Sequence, residues 1–306
     1  MTRVALICDN GRIAQWQRRA LEEAGIRHIV LLLDCRNTES ERRWARHAGY
    51  YLLNMLAIRS RETRMVAIED CEIAIDERVV FDADTAGAWQ SLPDAVLARR
   101  RSVAPDVIVK FGMGLLRVPP RDVLAAPILS YHHGDPAAYR GRPAGFWETA
   151  HGTPVLGQVV QVLANRLDAG AVVAFAETKV YPHSYCATMI EAYRHSPLLL
   201  GPAIARSVAG EHLPAGHGPN HRLPSNMAVA GVVFGMVRKW LGRLVYGALF
   251  EKEWRVSVAA PPRDPLAASP EGARVLPVPR GYTILADPFL CANGDVLAEG
   301  VHARSG

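Results

Sequence analysis

The densest cluster of chemically capable side chains is Ser130-Tyr131-His132-His133-Gly134-Asp135, followed by Tyr139-Arg140-Gly141 and Gly145-Phe146-Trp147-Glu148. An imidazole titrates close to neutrality, so it can take a proton from an amine nucleophile or donate a hydrogen bond to a developing oxyanion. His132 is the first candidate, because it closes the apolar run Ile128-Leu129 where a buried strand would end. A carboxylate can fix the tautomer of such a ring. Asp168, in Leu167-Asp168-Ala169-Gly170, is the candidate partner, since Gly170 permits a tight turn that directs the acid back toward a sheet. The same two residues also admit a plain reading as a structural histidine and a turn-capping aspartate. His132, His133, Asp135 and Asp168 are all metal-ligand types, but adjacent residues at a strand end face opposite ways, so no metal site is expected.

The elements that must position these residues alternate. Val4-Ala5-Leu6-Ile7-Cys8, ended by Asp9-Asn10-Gly11, reads as a buried parallel strand. The spacing predicts a helix over 13–24 with Gly25 as its stop, then a strand over 28–33. A helix over 39–51 carries Arg42, Arg43, Arg46 and His47, read as a solvated face with an anion patch as the alternative. Strands over 106–111 and 128–132 follow, then a short helix over 145–151 and strands over 157–163 and 172–180. Ser184 can cap a helix reaching residue 208, which Pro197 and Pro202 should bend or split. Such β-then-α order predicts an α/β fold with a doubly wound, mainly parallel sheet, whose ligands sit at the carboxyl ends of the strands.

Composition narrows the classes. The 306 residues are 49% hydrophobic, enough for a sizeable core and too many for a disordered or fibrous chain. A net charge of +5 favours anionic partners without choosing among them. Arg99-Arg100-Arg101 lacks interleaved aromatics and reads as a solvated helix end, so no nucleic-acid partner is expected. Gly11 stands without a G-x-G-x-x-G pattern, leaving a dinucleotide site unsupported. The 5 cysteines, scattered and odd in number, argue against a disulfide framework, and with no secretory signal in view the expected location is cytoplasmic.

Residues 1–210 are expected to form the catalytic domain, 211–226 a linker, and 227–306 an apolar helix with a short β extension. The segment 227–250 is long enough to span a bilayer, but Arg238, Lys239 and Arg243 make spanning costly. Its first reading is a core or homodimer helix; the alternative is a helix at a membrane surface, peripheral to the inner membrane.

The stretch 106–173 resembles the amino-terminal domain of the formyltetrahydrofolate-dependent formyltransferases, the superfamily of methionyl-tRNA formyltransferase and the sugar N-formyltransferases. Ser130-Tyr131-His132, Tyr139-Arg140-Gly141 and Asp168-Ala169-Gly170 match its ordered motifs, and Phe111-Gly112-Met113-Gly114-Leu115 stands where the family places a loop beside the folate. The string His132-His133-Gly134-Asp135 is similar to a bacterial branch associated with surface-polysaccharide or glycolipid loci. The resemblance implies a doubly wound Rossmann-like catalytic domain, 10-formyltetrahydrofolate as formyl donor and a small-molecule amine as acceptor, expected on an amino sugar carried by a nucleotide or lipid. It implies catalytic roles for His132 and Asp168, with His133, Asp135, Arg140, Gly141 and Glu148 supporting substrate or loop. The family's carbonyl-polarising Asn is Ser130 here, a shorter donor. A formyltetrahydrofolate hydrolase and a catalytically degenerate module binding a glycolipid or partner protein are the alternatives. The carboxyl end, Glu253-Trp254-Arg255-Val256 and Ala286-Asp287-Pro288-Phe289-Leu290, is similar to the opening of a β-propeller-like domain of glucosamine inositolphosphorylceramide transferase-type proteins.

Overall fold

A computed structural model describes residues 2–36, 45–57, 60–120, 126–165, 169–213, 216, 218–250, 256–258, 274–291 and 293–302. Its central sheet contains β1 (Val4–Asp9), β2 (Arg12–Ala14), β3 (Leu31–Cys35), β4 (Met65–Ala67), β5 (Arg78–Phe81), β6 (Val107–Lys110), β7 (Ile128–His132), β8 (Val155–Val162) and β9 (Ala171–Lys179). Strands β9-β8-β7-β6-β1 follow in order; on the far side β1 pairs with β3, which pairs with β5, and it also pairs through the Asp9–Arg12 turn with β2, which is antiparallel to β4. Strands β5, β3, β1, β6 and β7 are parallel neighbours, whereas β8 and β9 are antiparallel additions on the β7 side. The protein is therefore an α/β fold with a mostly parallel central sheet. Asp9, Cys35, Lys110 and His132 share its carboxyl edge.

The apolar runs Val4-Ala5-Leu6-Ile7-Cys8 of β1, Leu31-Leu32-Leu33 of β3, Val107-Ile108-Val109 of β6 and Ile128-Leu129 of β7 follow from burial on both faces. Leu6, Leu32, Val109 and Leu129 face one core with Ala20 and Leu21 of α1 (Gln15–Glu23). Leu200, Ala203 and Ile204 of α6 (Leu200–Ala209) join them. Ile7, Leu31, Leu33, Ile108 and Ile128 alternate to the opposite face, against Val96 and Leu97 of α3 (Asp94–Val103).

Three local departures from the sequence reading have physical causes. The helix expected from residue 13 starts at Gln15, because Asn10 (φ 51°) and Gly11 (φ 62°) make a tight hairpin turn that pairs Asp9 with Arg12. The strand expected over 28–33 is two pieces. His28–Ile29 pairs with Ala74–Ile75, and only Leu31–Cys35 enters the central sheet. Arg100, expected on a solvated helix end, is 3% exposed inside α3, with its Nε unpartnered among the described residues.

Ser184 accepts a hydrogen bond from Ala187 N and caps α5 (Tyr185–His195), as expected of an N-cap serine. Pro197 divides the long helix at a 3-10 turn over Ser196–Leu199, while Pro202 is accommodated in the first turn of α6. Of the helix expected over 39–51, residues 39–44 lie outside the described residues. The described part is a 3-10 turn, Ala45–His47, leading into α2 (Ala48–Ala57). The chain divides into two compact units, Met1–Trp240 and Leu241–Gly306, and α7 (Asn226–Leu249) crosses that division. Among the described residues no helix is long and apolar enough to cross a membrane. The second unit contains an antiparallel pair, Tyr282–Leu290 with Val296–His302.

Candidate active site

His132 is the last residue of β7, and the chain beyond it folds back over its ring. Asp135 builds the fold: its Oδ1 accepts from Ala137 N at 2.8 Å, and its carbonyl accepts from Ala138 N at 2.9 Å and Tyr139 N at 2.6 Å. That turn carries the Tyr139 carbonyl to 2.9 Å from His132 Nε2. A carbonyl only accepts, so Nε2 is the donor in this contact, and Nδ1 is the nitrogen that can take up a further proton. Asp135 thus acts through the main chain.

Gly134 leaves the room this arrangement needs. A Cβ there would lie 2.7 Å from His132 Nε2 and 2.8 Å from the Tyr139 carbonyl oxygen. Gly134→Ala is therefore expected to push the ring aside and slow any reaction that uses it by about tenfold, as small misplacements of catalytic groups do. The contact with the Tyr139 carbonyl is a main-chain clash, so the thermal midpoint should fall as well; an unchanged rate in a folded variant would contradict this view of the ring.

His132, Leu115 and Gly141 line one cavity of about 560 Å³, together with His47 and His221. Leu115 ends the 111–115 loop, which is pinned from beneath. Phe111 N and Gly112 N donate to the Ile7 carbonyl, Met113 N donates to Asp9 Oδ1 at 2.6 Å, and Gly114 N donates to Gln90 Oε1 at 2.6 Å. Met113 adopts a left-handed φ of 59°, and Lys110 Nζ donates to its carbonyl at 3.0 Å. Burial pushes the Asp9 carboxyl up from its ordinary value, against the hydrogen bond from Met113 N. Phe111 and Ser130 line a second cavity of about 220 Å³, with Trp16, Gln17 and Tyr193. Leu115 lines the first of these spaces with His132, and Phe111 lines the second with Ser130; Ser130 and His132, two residues apart on β7, point to the same side of the sheet.

His133 faces away from His132 into an aromatic box, with ring centroids 5.4 Å from Trp16 and 4.9 Å from Tyr193. Its Nε2 is 2.8 Å from Ser196 Oγ, which lies 2.7 Å from Gln158 Oε1. Burial, then the neighbouring His132, pushes His133 down to about 3, so the ring is neutral at physiological pH and acts in packing. Sequence reasoning missed Ser196 and Gln158. The signal was present in Pro197, which ends the helix and turns Ser196 inward.

Glu148, on α4 (Phe146–His151), is 2% exposed, and burial, with a smaller push from Asp135, raises it to about 7. Arg140 and Gly141 form a short strand parallel to Asn220–His221. Gly141 has φ 89°, and a Cβ there would come within 2.1 Å of the His221 carbonyl oxygen, so this position requires glycine. Arg140 Nε is buried without a partner among the described residues. Asp168 lies outside the described residues.

No family model matches the sequence, and no curated protein matches it. Among solved structures, the chain is similar to glycinamide ribonucleotide transformylase 1 from Symbiobacterium toebii, at 15% identity and TM-score 0.45, over 69% of this chain and 89% of that one. It is similar to phosphoribosylglycinamide formyltransferase from Anaplasma phagocytophilum at 12% identity and TM-score 0.46, over 68% and 88% of the two chains. A third similarity, at 14% identity and TM-score 0.35, is to HypX from Aquifex aeolicus in complex with tetrahydrofolic acid; it spans 72% of this chain and 29% of HypX.

Proposed function

We propose that this protein transfers a formyl group from 10-formyltetrahydrofolate to a primary amine of an amino sugar. The observation that carries the reading is His132. It stands at the carboxyl end of a central parallel strand, its Nε2 donating to the Tyr139 carbonyl, and opens into a cavity within the size range of small-molecule sites. Its sequence setting, Ser130-Tyr131-His132 followed by Tyr139-Arg140-Gly141, supports the same reaction.

The chemistry requires an amine to add to the formyl carbon, with the carbonyl electron pair moving to oxygen. The carbon–N10 bond then breaks as a proton reaches N10. His132 takes the amine proton at Nδ1 as the new carbon–nitrogen bond forms and returns it to the departing nitrogen. Asp168 assists removal of the amine proton, and Ser130 donates one hydrogen bond to the formyl oxygen. Leu115 and the loop before it flank the pterin.

Incubating the full chain with 10-formyltetrahydrofolate and a panel of nucleotide-linked amino sugars should release tetrahydrofolate only when an acceptor is present. Formate release without an amine would instead identify a hydrolase, and no folate binding by calorimetry would overturn the reading. Because an oxyanion donor is typically worth a factor of about 100 in rate, Ser130→Asn, which supplies a longer donor, should raise kcat by about tenfold. A lower or unchanged kcat would remove Ser130 from the reacting centre.

A further inference from the structure

Two helices of the first unit leave a continuous apolar surface in water. Gly49 N, in the first turn of α2, donates to Asn226 Oδ1 at 2.9 Å and so ties α2 to the start of α7. Val229 of α7 is buried in a core with Tyr50 and Phe146, and Val232 and Met236, three and four residues apart along the same side, pack against it. Met227 and Phe234, seven residues apart, share a different side. Phe234 is 72% exposed, and Val237 and Trp240 are about half exposed. The last turns of α2 extend this surface. Leu56, 69% exposed, lines an open groove of about 300 Å³ with Val233, Val237 and Trp240, and Leu52 and Met55 are exposed on the same helix. Contiguous apolar surface of this kind marks an interaction site.

Charge decides what can cover it. Neither α2 nor α7 contains an acidic residue, whereas α7 carries Arg238, Lys239 and Arg243. At about 100° per residue, Val233, Phe234, Val237 and Trp240 span one arc of α7; Arg238 borders that arc and Lys239 stands behind it. A second copy docking through the same face would set these cations against their own equivalents, with no acid on either helix to pair with them. An anionic lipid surface supplies the counter-charge, accepts the apolar arc, and lets an arginine at the border reach headgroup phosphates. Trp240 suits the same boundary, because indole joins an apolar ring to one polar N–H.

We propose that the face formed by α2 and α7 docks on an anionic lipid surface. Helix α7 lies in the plane of the headgroups, Leu56, Phe234, Val237 and Trp240 enter the acyl boundary, and Arg238 meets lipid phosphates. The docking does not depend on the reaction at His132.

The test is co-sedimentation of the full chain with vesicles of phosphatidylcholine alone, and of phosphatidylcholine with about a third phosphatidylglycerol. The protein should pellet with the anionic vesicles and be released as the salt is raised. Phe234→Ser and Leu56→Ser should each weaken partition about tenfold, since each removes an apolar side chain from the inserted surface, and Arg238→Gln should weaken it about fivefold. Circular dichroism checks that the variants fold; should a serine variant fail, Arg238→Gln still reads the docking. Absence of binding to the anionic vesicles, equal binding to the neutral ones, or unchanged binding in every folded variant overturns the proposal. Analytical ultracentrifugation without lipid tests the other occupant: a dimer that Phe234→Ser dissociates would assign the face to a second copy and overturn it as well.

Discussion

Replacing His132 with asparagine is expected to lower formyl transfer about 10³-fold while binding of a folate analogue stays within a few-fold of the parent. The magnitude is that of a positioned acid–base group, which typically contributes 10²- to 10⁴-fold. The separation of the two readouts follows from geometry: the ring stands at the end of β7, while the 111–115 loop is held by Ile7, Asp9 and Gln90 independently of it. Asparagine keeps a side-chain donor toward the Tyr139 carbonyl, so the 135–139 turn should persist. Single-turnover rates with labelled formyl donor, beside calorimetry, measure both. Retention of more than a tenth of the rate would show that another group moves the proton.

The second large effect concerns stability. Glu148 is raised from its ordinary 4.5 to about 7 chiefly by burial. A raised folded-state value means that the folded protein holds its proton more tightly than the unfolded chain. Below about pH 4.5 both states are protonated and the residue costs nothing. Between 4.5 and 7 the unfolded chain ionises first and stability falls, and above 7 the full penalty is present. Glu148→Gln keeps the shape and removes the ionisation, so at pH 8 the variant should be more stable by about 3 kcal/mol, with no gain at pH 4. Thermal unfolding at the two pH values checks the sign; a variant less stable at pH 8 would show that the carboxylate has a favourable partner.

Much of the sheet was legible because burial on both faces leaves a plain mark. Val4–Asp9 and Val107–Lys110 are apolar up to their last residue and Ile128–His132 opens on an apolar pair, and they occur as the parallel core strands. What escaped notice was carried by pairs distant in sequence or by turn chemistry. Asn10-Gly11 specifies the hairpin that delays α1, and Asp34 stabilises it by accepting from Gly11 N at 2.7 Å while receiving Arg78 Nη2 at 2.6 Å. Neither Asp34 nor Arg78 belongs to a readable motif.

The candidate site divides similarly. His132 was visible because its chemistry and its place at a strand end coincide. The Tyr139 carbonyl to which its Nε2 donates has no side-chain signature, and Gly141 meets His221 only through the register of a two-residue strand pair.

The most direct test of formyl chemistry at this imidazole is a crystal structure with a stable analogue of 10-formyltetrahydrofolate. The pterin should lie against Leu115, and the atom replacing the formyl carbon should sit within about 3.5 Å of the His132 ring, the separation of a reacting pair. An analogue seated away from His132, or a cavity that stays without it at saturating concentration, would contradict the assignment.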